Sequence, residues 1–562
     1  MRQLSMTLCL ISILFASVSY AAQPDWSDSA QIPLGETREN IYELPADEFA
    51  DTIAKGYEHA LHYPVTVSGL FIPYDPVKRF IENPGDNALK RLLQKITQKR
   101  MQVTSMEELY QWLGLNPFPS QKATGIFRID EPAHLQTDGY MGATIRNTKQ
   151  GRSLTFSCAT CHSSTLFGKQ VMGLTNRRMR ANKFFHMAKQ TIPLVPSPLF
   201  KGITGATEAE RQMFRRTKYN LPSVGAIEPL VQGLDTSLPQ VALSLARRGK
   251  DEDATKSKFY ERFPRRNKLE RVRADSKPMP WWNLKYKTRW LADGSIVAGN
   301  PIFTNFLWNE LGRGTDLVEL LDWMKQNKPT IQQLTAAAFA TNAPHWTDFF
   351  PVDTIDIEKA KRGQTMFNES CKKCHGEYEK GWNQFDSEFM PEQEQVLTTN
   401  VYYHEKTPVK DVGTDPMRYQ GTKYFAQALN DLKISQYMKT VVEPQKGYVP
   451  PPLVGVFARY PYFHNNSIPN LCAIVTPPSQ RPKKFVQGPS DNATTDYDSE
   501  CLGYPVGKKM PKSWLKDKEA TMDTTSKGLS NSGHYKMLLN KDGSEKYTWD
   551  QKMELLEFLK TL

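Results

Sequence analysis

Apolar and polar residues recur with helical spacing near the C-terminal end of the chain. A capping box at Thr548 and Gln551 predicts the start of a final helix, which continues to Leu562 with a broad apolar face. A second segment, from Asp356 to Glu369, also carries small and apolar residues at near-helical intervals. Because each helix has an apolar face to bury, we expect the two helices to pack against each other.

Further helices are predicted upstream. Helical periodicity covers Ala88 to Leu113 and Asp316 to Gln326, and a capping box predicts another helix over Thr330 to Thr341. The segment from Thr144 to Phe156 has no clear helical pattern, and the Pro- and aromatic-rich stretch from Gln445 to Pro478 is typical of a loop. The sequence therefore predicts a mainly α-helical fold with long loops.

Residues 1–22 have the features of a secretory signal peptide. Arg2 precedes a short apolar run from Thr7 to Ser19, and the small residues Ala21 and Ala22 follow. We expect cleavage near Ala22 and a mature protein that is periplasmic or secreted. No later apolar run approaches the roughly 20 residues of a membrane-spanning helix, so no transmembrane segment is predicted.

The number and distribution of charged residues indicate which classes of partner the protein can bind. The chain has 72 Lys and Arg against 60 Asp and Glu, a formal net charge of +12. The basic residues are interspersed with acidic ones and no nucleic-acid recognition module is present, so we expect no nucleic acid as a partner. The densely charged segment from Ala246 to Lys277 is predicted to be solvated, and a docking face for an acidic electron donor is the alternative.

The seven cysteines divide into three groups. Cys9 lies in the signal peptide, four cysteines belong to two Cys-x-x-Cys-His motifs, and Cys472 and Cys501 remain. In an oxidising compartment two remaining thiols favour a disulfide, which here would close a Pro-rich surface loop. We expect this disulfide to be structural.

The two Cys-x-x-Cys-His motifs are the signature of c-type haem attachment. One is Cys158-Ala159-Thr160-Cys161-His162 and the other is Cys371-Lys372-Lys373-Cys374-His375. One helical turn directs both sulfurs towards the haem vinyl groups, and the next residue brings its imidazole to the iron as proximal ligand. A thioredoxin-like redox pair or half of a zinc site would not need a histidine directly after both motifs. The sequence therefore predicts two covalently bound haem c groups, each with one iron.

The domain organisation follows from the distance between the motifs along the chain. Each haem needs a protein jacket that excludes water, so we expect one haem per domain and a tandem of cytochrome c domains. The predicted divisions are a signal peptide (1–22), an N-terminal helical extension (23–132), a first cytochrome c-like haem domain with the charged insert (133–345) and a second cytochrome c-like haem domain (346–562).

Several segments beyond the haem motifs resemble one known group. From about Gly142 to Leu562 the chain resembles the bacterial di-haem cytochrome c peroxidase superfamily, which also includes the methylamine dehydrogenase maturation enzyme and the rubber oxygenases. The rubber-oxygenase-like branch is the nearest match. The resemblance rests on the haem motifs and on the segments Pro280-Trp281-Trp282-Asn283-Leu284-Lys285, Gly413-Thr414-Asp415-Pro416, Pro461-Tyr462-Phe463-His464-Asn465-Asn466-Ser467-Ile468-Pro469 and Ser530-Asn531-Ser532-Gly533-His534.

The resemblance implies two haems with different coordination. One haem has two protein ligands and relays electrons, whereas the other leaves a position open for peroxide or dioxygen. For the haem at His375, His534 matches the position of the sixth ligand in the rubber-oxygenase-like branch, and His464 is the competing candidate. The methionine that the peroxidases place before the Pro-Tyr-Phe-His segment is absent here, and Tyr448 is a further candidate.

The first haem would be the open one. We find no convincing second ligand downstream of His162, because the pair His186 and Met187 lies on an aromatic-rich segment that is typical of pocket lining. In relatives an indole lies between the two haems, which makes Trp281 or Trp282 the candidate catalytic residue. A buried aromatic pair that closes the domain interface is the alternative.

Two further points follow from the resemblance. Arg418 would neutralise a haem propionate or else lie at the surface. Peroxide chemistry also needs a general base near the open iron, and the sequence does not identify one.

Three functions are compatible with these features. The first is a peroxidase-like oxidoreductase, in which the open haem at His162 activates peroxide and the six-coordinate haem at His375 relays electrons. The second is a haem-dependent dioxygenase that cleaves an apolar polyisoprene-like substrate. The third is a periplasmic electron carrier. The implied partners are a small oxidant, peroxide or dioxygen, and an electron-donor protein.

Overall fold

The structure, a computed structural model, describes residues 38–562. About 45% of it is helical and 11% is strand, which confirms a mainly helical fold. Among the described residues, no helix combines the length and apolar character needed to cross a lipid bilayer. The predicted signal peptide lies outside the described residues.

The α-helices lie along the whole described chain. In order they are α1 (Ala46–Leu61), α2 (Tyr74–Glu82), α3 (Ala88–Met101), α4 (Met106–Leu113), α5 (Ala159–His162), α6 (Ala181–Thr191), α7 (Ser197–Thr204), α8 (Glu208–Asn220), α9 (Ser237–Leu245), α10 (Lys258–Arg262), α11 (Pro301–Arg313), α12 (Leu317–Gln326), α13 (Lys328–Ala340), α14 (Ile357–Ser370), α15 (Lys372–His375), α16 (Glu392–Leu397), α17 (Met417–Gly421), α18 (Ala426–Asn430), α19 (Lys433–Tyr437), α20 (Leu471–Ile474) and α21 (Trp549–Lys560).

Two of the predicted helices differ in their bounds. The helix expected over Ala88 to Leu113 is divided into α3 and α4, because Gln102 adopts a left-handed conformation after α3 and Ser105 caps α4. The predicted start at Thr330 is wrong. Helix α13 begins at Lys328 with Pro329 in its first turn, where the fixed φ of proline suits a helix, so Thr330 lies inside the helix.

The packing of α14 against α21 is confirmed. A Cβ atom on Gly363 would lie 2.0 Å from the carbonyl oxygen of Glu554, so only glycine allows this close approach. The rings of Phe367 and Phe558 contact each other with centres 5.3 Å apart. At the start of α21 the predicted capping box at Thr548 is also present.

The strands are short and pair only antiparallel. They are β1 (Ile72–Pro73), β2 (Asn116–Pro117), β3 (Tyr140–Met141), β4 (Ala143–Thr148), β5 (Gly151–Phe156), β6 (Ser163–Leu166), β7 (Lys169–Met172), β8 (Ile296–Ala298), β9 (Glu377–Lys380), β10 (Thr399–Tyr402), β11 (Val441–Val442), β12 (Lys484–Val486) and β13 (Thr521–Asp523). Their arrangement is β1-β5-β4, β2-β3, β6-β7, β8-β11, β9-β10 and β12-β13. The β4-β5 hairpin accounts for the missing helical pattern before Cys158.

Two large apolar cores organise the described chain. One gathers most of its members from residues after Trp346 and also includes Trp282. The other joins α1, α11 and α13 and includes Trp281. The two adjacent tryptophans therefore enter different cores. The predicted domain boundaries remain a prediction.

Two local features complete the fold. The predicted disulfide between Cys472 and Cys501 is present. The charged segment from Ala246 to Lys277 is not wholly solvated, because Arg248 is completely buried and the guanidinium group of Arg265 donates to the backbone carbonyl of Leu245 at 2.5 Å. Part of this charge therefore supports the fold.

Candidate haem-binding sites

The second motif connects α14 to β9. Cys371 ends α14, and its carbonyl oxygen accepts a hydrogen bond from the backbone nitrogen of His375 at 3.0 Å, which forms the short turn of α15. Cys371 and Cys374 are not in a disulfide. Both sulfurs and the histidine are thus carried on a single helical turn, as thioether attachment requires.

The ring of His375 is buried and its tautomer is fixed by one hydrogen bond. Its Nδ1 donates to the carbonyl oxygen of Pro451 at 2.8 Å. Because a carbonyl only accepts, Nδ1 carries the proton and Nε2 keeps its lone pair for a metal. Burial lowers the pKa of His375 to about 4, which keeps the imidazole neutral. The hydroxyl of Tyr378 donates to the carbonyl of His375 at 2.9 Å and fixes the backbone there.

His534 faces His375. The centres of the two rings are 6.0 Å apart and the ring planes are inclined by 63°. Two imidazoles on opposite sides of one metal ion have ring centres about 6 Å apart, because each metal–nitrogen bond is about 2 Å long. The Nδ1 atom of His534 is buried and has no partner among the described residues, and burial lowers the pKa of this histidine to about 3.

Two motifs of the resemblance meet to position His534. A Cβ atom on Gly533 would lie 2.3 Å from the backbone carbon of Gly413, so the two loops cross as closely as glycine allows. The backbone nitrogen of His534 donates to the carbonyl of Val412 at 2.8 Å, and His534 itself has a φ of 51°. This left-handed conformation is unfavourable for histidine and is held by the surrounding loops.

A cavity of about 400 Å³ lies beside the second motif. It is lined by Cys371, Cys374, His375 and His534, and its wall is largely apolar, with residues such as Leu471 and further Leu, Val and Ile side chains. The size is that of a small-molecule or cofactor pocket.

Three cations also line this cavity, of which Lys287 is buried and Lys277 and Arg459 are half-buried. Lys277 donates to the carbonyl of Arg459 at 3.0 Å, the Nζ of Lys287 lies 2.8 Å from the sulfur of Met279, and Arg459 donates to the carbonyl of Pro452 at 2.6 Å. Burial lowers the pKa of each, for Lys287 to about 7. None of the three forms an ion pair with a described Asp or Glu, so a ligand with carboxylate groups would satisfy them.

His464 and Tyr448, the competing ligand candidates, stack on each other in the same cavity wall. Their ring centres are 3.9 Å apart and their planes are inclined by 17°. The hydroxyl of Tyr448 donates to the carbonyl of Asp415 at 2.5 Å. Burial holds the pKa of His464 well below its usual range.

The first motif follows the β4-β5 hairpin and leads into β6. The backbone nitrogens of Gly173 and Asn176 donate to the carbonyls of His162 at 2.7 Å and Cys161 at 2.9 Å, which fixes the turn of α5. Cys158 and Cys161 are not in a disulfide. Burial lowers the pKa of His162 to about 4, so this imidazole is also neutral and available to a metal.

Trp281 lies beside the first motif. Its ring contacts His162, with centres 5.4 Å apart and planes inclined by 37°. The two residues before it, Met279 and Pro280, line the cavity beside the second motif. Trp282 points into the other core and donates from Nε1 to the carbonyl of Val454 at 3.1 Å. The Trp-Trp segment therefore joins the surroundings of the two motifs.

Sequence reasoning missed one carboxylate near the first motif, Asp235, and a second one beside it, Asp275. Burial, and then the charge of Asp235, raise the pKa of the Cys161 thiol. Asp275 is buried beside Asp235, its Oδ1 has no partner among the described residues, and burial raises its pKa to about 6. No sequence pattern distinguishes Asp275, because it lies in the densely charged segment.

Two other candidates are placed by hydrogen bonds. Arg418 is buried and pairs with Asp293 at 3.1 Å, so of the two alternatives for this residue the surface position is wrong. Both ring nitrogens of His186 have polar partners, the carbonyl of Ala226 at 3.1 Å and the side chain of Gln190 at 2.9 Å. Both ring nitrogens of His186 are therefore already in hydrogen bonds on α6.

These residues fit covalently bound haem. Each motif offers two cysteines that are not in a disulfide and one neutral histidine. The second site adds a facing histidine, an apolar cavity and three cations that form no ion pair with a described carboxylate. The cations match the two propionates that every haem c carries.

Comparison with known proteins gives three findings. A family model described as RoxA-like, cytochrome c-like matches residues 447–486. An uncharacterised protein of Sinorhizobium fredii, y4iM, is 24% identical over 224 residues, 38% of this chain and 50% of that protein. Another uncharacterised protein of Sinorhizobium fredii, y4iJ, is 32% identical over 123 residues, 22% of this chain and 19% of that protein. The chain thus spans half or less of these relatives.

The matched segment forms part of the wall of the second site. It includes Tyr448, Pro451 and His464, all of which line the cavity. A cytochrome c-like domain is therefore present in this part of the chain. This match supports the resemblance to the rubber-oxygenase-like cytochrome c branch, and a cytochrome c-like domain implies covalently bound haem.

Proposed function

From this cytochrome c-like domain, we propose that the protein is a di-haem c-type oxidoreductase with peroxidase-like activity. The observation that carries the proposal is the difference between the two sites. His375 has a second histidine, His534, at the spacing of a shared metal ion, whereas the ring of His162 contacts an indole, Trp281. One site is suited to relay electrons and the other to bind a small oxidant.

When bound, haem c supplies one-electron redox chemistry and an iron that can accept peroxide or dioxygen. His375 and His534 would hold the iron of the second site, and His162 would hold that of the first. Burial keeps all three imidazoles neutral, as metal binding requires. Lys277, Lys287 and Arg459 would pair with the propionates of the second haem and retain their charge.

Two further side chains complete the proposed chemistry. Peroxide must release a proton as it reacts, and the unpaired Oδ1 of Asp275 can accept one, because a pKa of about 6 suits proton exchange near neutral pH. Trp281 would carry electrons between the two sites, since its ring contacts His162 while the preceding Pro280 lines the second cavity.

Electrons would arrive from a donor protein near the second site. A chain of hydrogen bonds connects His375 to Trp382. Tyr378 donates to the carbonyl of His375, Gln364 donates to the carbonyl of Tyr378 at 2.9 Å, and the indole of Trp382 donates to Gln364 at 2.8 Å.

The surface beyond Trp382 is acidic and partly apolar. Phe385 and Phe389 are exposed, and Gln395 holds their loop by donating to the carbonyls of Ser387 and Met390, both at 2.9 Å. Four exposed carboxylates that form no ion pair with a described residue surround the two rings: Asp386, Glu388, Glu392 and Glu394. This surface, residues 385–394, suits a basic donor.

The second candidate function is a haem-dependent dioxygenase that acts on an apolar polyisoprene-like substrate. The RoxA-like match at residues 447–486 favours it. This function would use the same ligands at both sites, but it would need an apolar substrate pocket near His162.

Electron paramagnetic resonance and visible spectra, before and after hydrogen peroxide, test the proposal. One high-spin haem that reacts with peroxide, together with one low-spin haem, is expected. Consumption of dioxygen with carbonyl products from a polyisoprene emulsion, and no peroxide turnover, would favour the dioxygenase. Two low-spin haems inert to peroxide would leave a periplasmic electron carrier.

A further inference from the structure

Helix α3, Ala88–Met101, is strongly basic and has no buried face among its described side chains. It contains five basic residues and no acidic residue. None of its residues with described side chains is buried. A helix that is basic on one side and apolar on another is typical of proteins that lie on membrane surfaces.

The apolar residues of α3 share one face. At about 100° per residue, Leu89, Leu92, Leu93 and Ile96 fall within one arc of the helix. Leu89, Leu92 and Ile96 are 46%, 55% and 47% exposed, so three large aliphatic side chains face solvent on adjacent turns. The same geometry places Lys90 on one side of this arc and Lys95 and Lys99 on the other.

The opposite face of α3 is anchored to the protein. The side chain of Gln94 donates to the carbonyls of Phe80 and Asn83, both at 2.7 Å, and Arg91 donates to the carbonyl of Gly85 at 3.2 Å. These bonds connect the helix to α2 and the loop after it. They orient the apolar arc away from the protein.

The three lysines of α3 have no acidic partner in the described part of the chain. Lys90, Lys95 and Lys99 form no ion pair with a carboxylate in the described part of the chain. In the described part of the chain, no apolar surface covers the aliphatic side chains of this face and no carboxylate pairs with its lysines. A phosphate-rich polymer would satisfy the lysines but not the aliphatic side chains, whereas an anionic lipid surface satisfies both.

We propose that α3 binds the protein peripherally to membranes that contain anionic phospholipid. Leu89, Leu92 and Ile96 would enter the boundary between headgroups and acyl chains, and the lysines beside them would contact lipid phosphates. The formal charge of +12 would favour approach to such a surface. The proposal is independent of the haem chemistry.

Co-sedimentation of the holoprotein with vesicles tests this. We expect binding to vesicles of phosphatidylcholine mixed with an equal share of phosphatidylglycerol, weaker binding at high salt, and little binding to phosphatidylcholine alone. Lys95→Gln should weaken binding about fivefold, since each basic residue near the surface contributes about that factor. Leu92→Ser and Ile96→Ser should each weaken it about tenfold.

A matched pair of surface changes serves as the control. Leu515→Ser and Lys516→Gln remove an exposed leucine and an exposed lysine at a different place, and should leave vesicle binding unchanged. Unchanged haem content and circular dichroism would show that the α3 variants remain folded.

Four outcomes would overturn the proposal. These are no binding to either vesicle, equal binding to both vesicles, α3 variants that bind like the wild type, and self-association without lipid that Leu92→Ser abolishes. The last result would show that a second copy of the chain covers this face. Loss of peroxide turnover alone would not affect the proposal, because the vesicle assay does not depend on activity.

Discussion

His375 and His534 lie with their ring centres 6.0 Å apart, although they come from distant parts of the chain. Gly413 and Gly533 bring the two loops together, and the hydrogen bond from His375 to Pro451 orients the first ring. Both rings are buried and neutral, so each can offer a nitrogen lone pair to the same metal ion.

Replacing His534 tests this pairing. His534→Gly should convert one low-spin haem to high-spin and leave the other unchanged, because the second site would lose one of the two imidazoles that would hold its iron. The backbone there already has a φ of 51°, which glycine adopts readily, so the fold should tolerate the change. Electron paramagnetic resonance measures the outcome. His464→Gly is the matched control, and a loss of low-spin signal in that variant instead would identify His464 as the ligand.

The number of covalently bound haems per chain shows whether each motif attaches a haem. Cys161→Ala should lower covalently bound haem by about one per chain, because the first motif loses a thioether bond while the second is intact. The pyridine haemochrome assay on the denatured protein measures this. The double variant Cys472→Ala with Cys501→Ala should keep both haems, since these residues form the structural disulfide. Two covalently bound haems in a variant that lacks both Cys158 and Cys161 would contradict attachment at the first motif.

Local patterns in the sequence predicted more of this structure than long-range ones. The capping box at Thr548, the spacing around Gly363 and the Cys-x-x-Cys-His motifs are short-range signals, and each predicts one turn or one helix face. The burial of Arg248 and the entry of Trp281 and Trp282 into different cores depend on residues far away in the chain. Single-sequence reasoning has no access to such contacts.

The electron path can be tested at the tryptophan pair. Trp281→Phe should slow electron transfer between the two sites about tenfold, equivalent to about 1.4 kcal/mol in activation free energy. Rapid mixing with a reductant, observed at the two haem spectra, measures this rate. Trp282→Phe is the control. It removes one hydrogen bond to Val454, worth about 1 kcal/mol of stability, and should leave the rate nearly unchanged. Equal effects in the two variants would argue for a packing role only.

Asp275 should make the rate of the peroxide reaction fall at acidic pH, which would appear as an acidic limb in the plot of kcat/KM against pH. Burial, together with a smaller effect of Asp235, raises its pKa from 3.8 to about 6, although the hydrogen bond from the backbone of Leu230 and the charge of Arg273 lower it. Below this pKa the carboxyl is protonated and cannot accept a proton from peroxide, so kcat/KM should fall as pH falls through about 6. Asp275→Asn should remove this limb and lower kcat/KM by about a hundredfold.

The same shift predicts a change of stability with pH. The folded state binds the proton of Asp275 more tightly than the unfolded state, so its contribution to stability is present below pH 3.8 and is lost as pH rises to about 6. The difference is on the order of 3 kcal/mol. Urea unfolding of wild type and Asp275→Asn across this range measures it. An identical pH dependence in both proteins would exclude a raised pKa at Asp275.

The acidic surface at residues 385–394 should control reduction by a basic donor protein. Glu392→Gln with Glu394→Gln removes two negative charges from the first turn of α16, and should slow reduction by a basic cytochrome c about fivefold at low salt. Stopped-flow absorbance at several salt concentrations measures the rate, and the salt dependence should weaken in the variant. Reduction by ascorbate should stay the same, because a small reductant needs no docking surface.

The matching control lies on another helix. Asp47→Asn with Glu48→Gln removes two carboxylates from the first turn of α1, so it costs the same favourable interaction with a helix N-terminus and the same net charge. This variant should react with the basic cytochrome like the wild type. If both double variants slow the reaction equally, net charge alone steers the donor and residues 385–394 are not its docking site. If neither variant has an effect, electrons enter elsewhere, and the chain of hydrogen bonds from Trp382 to His375 serves only to stabilise the site.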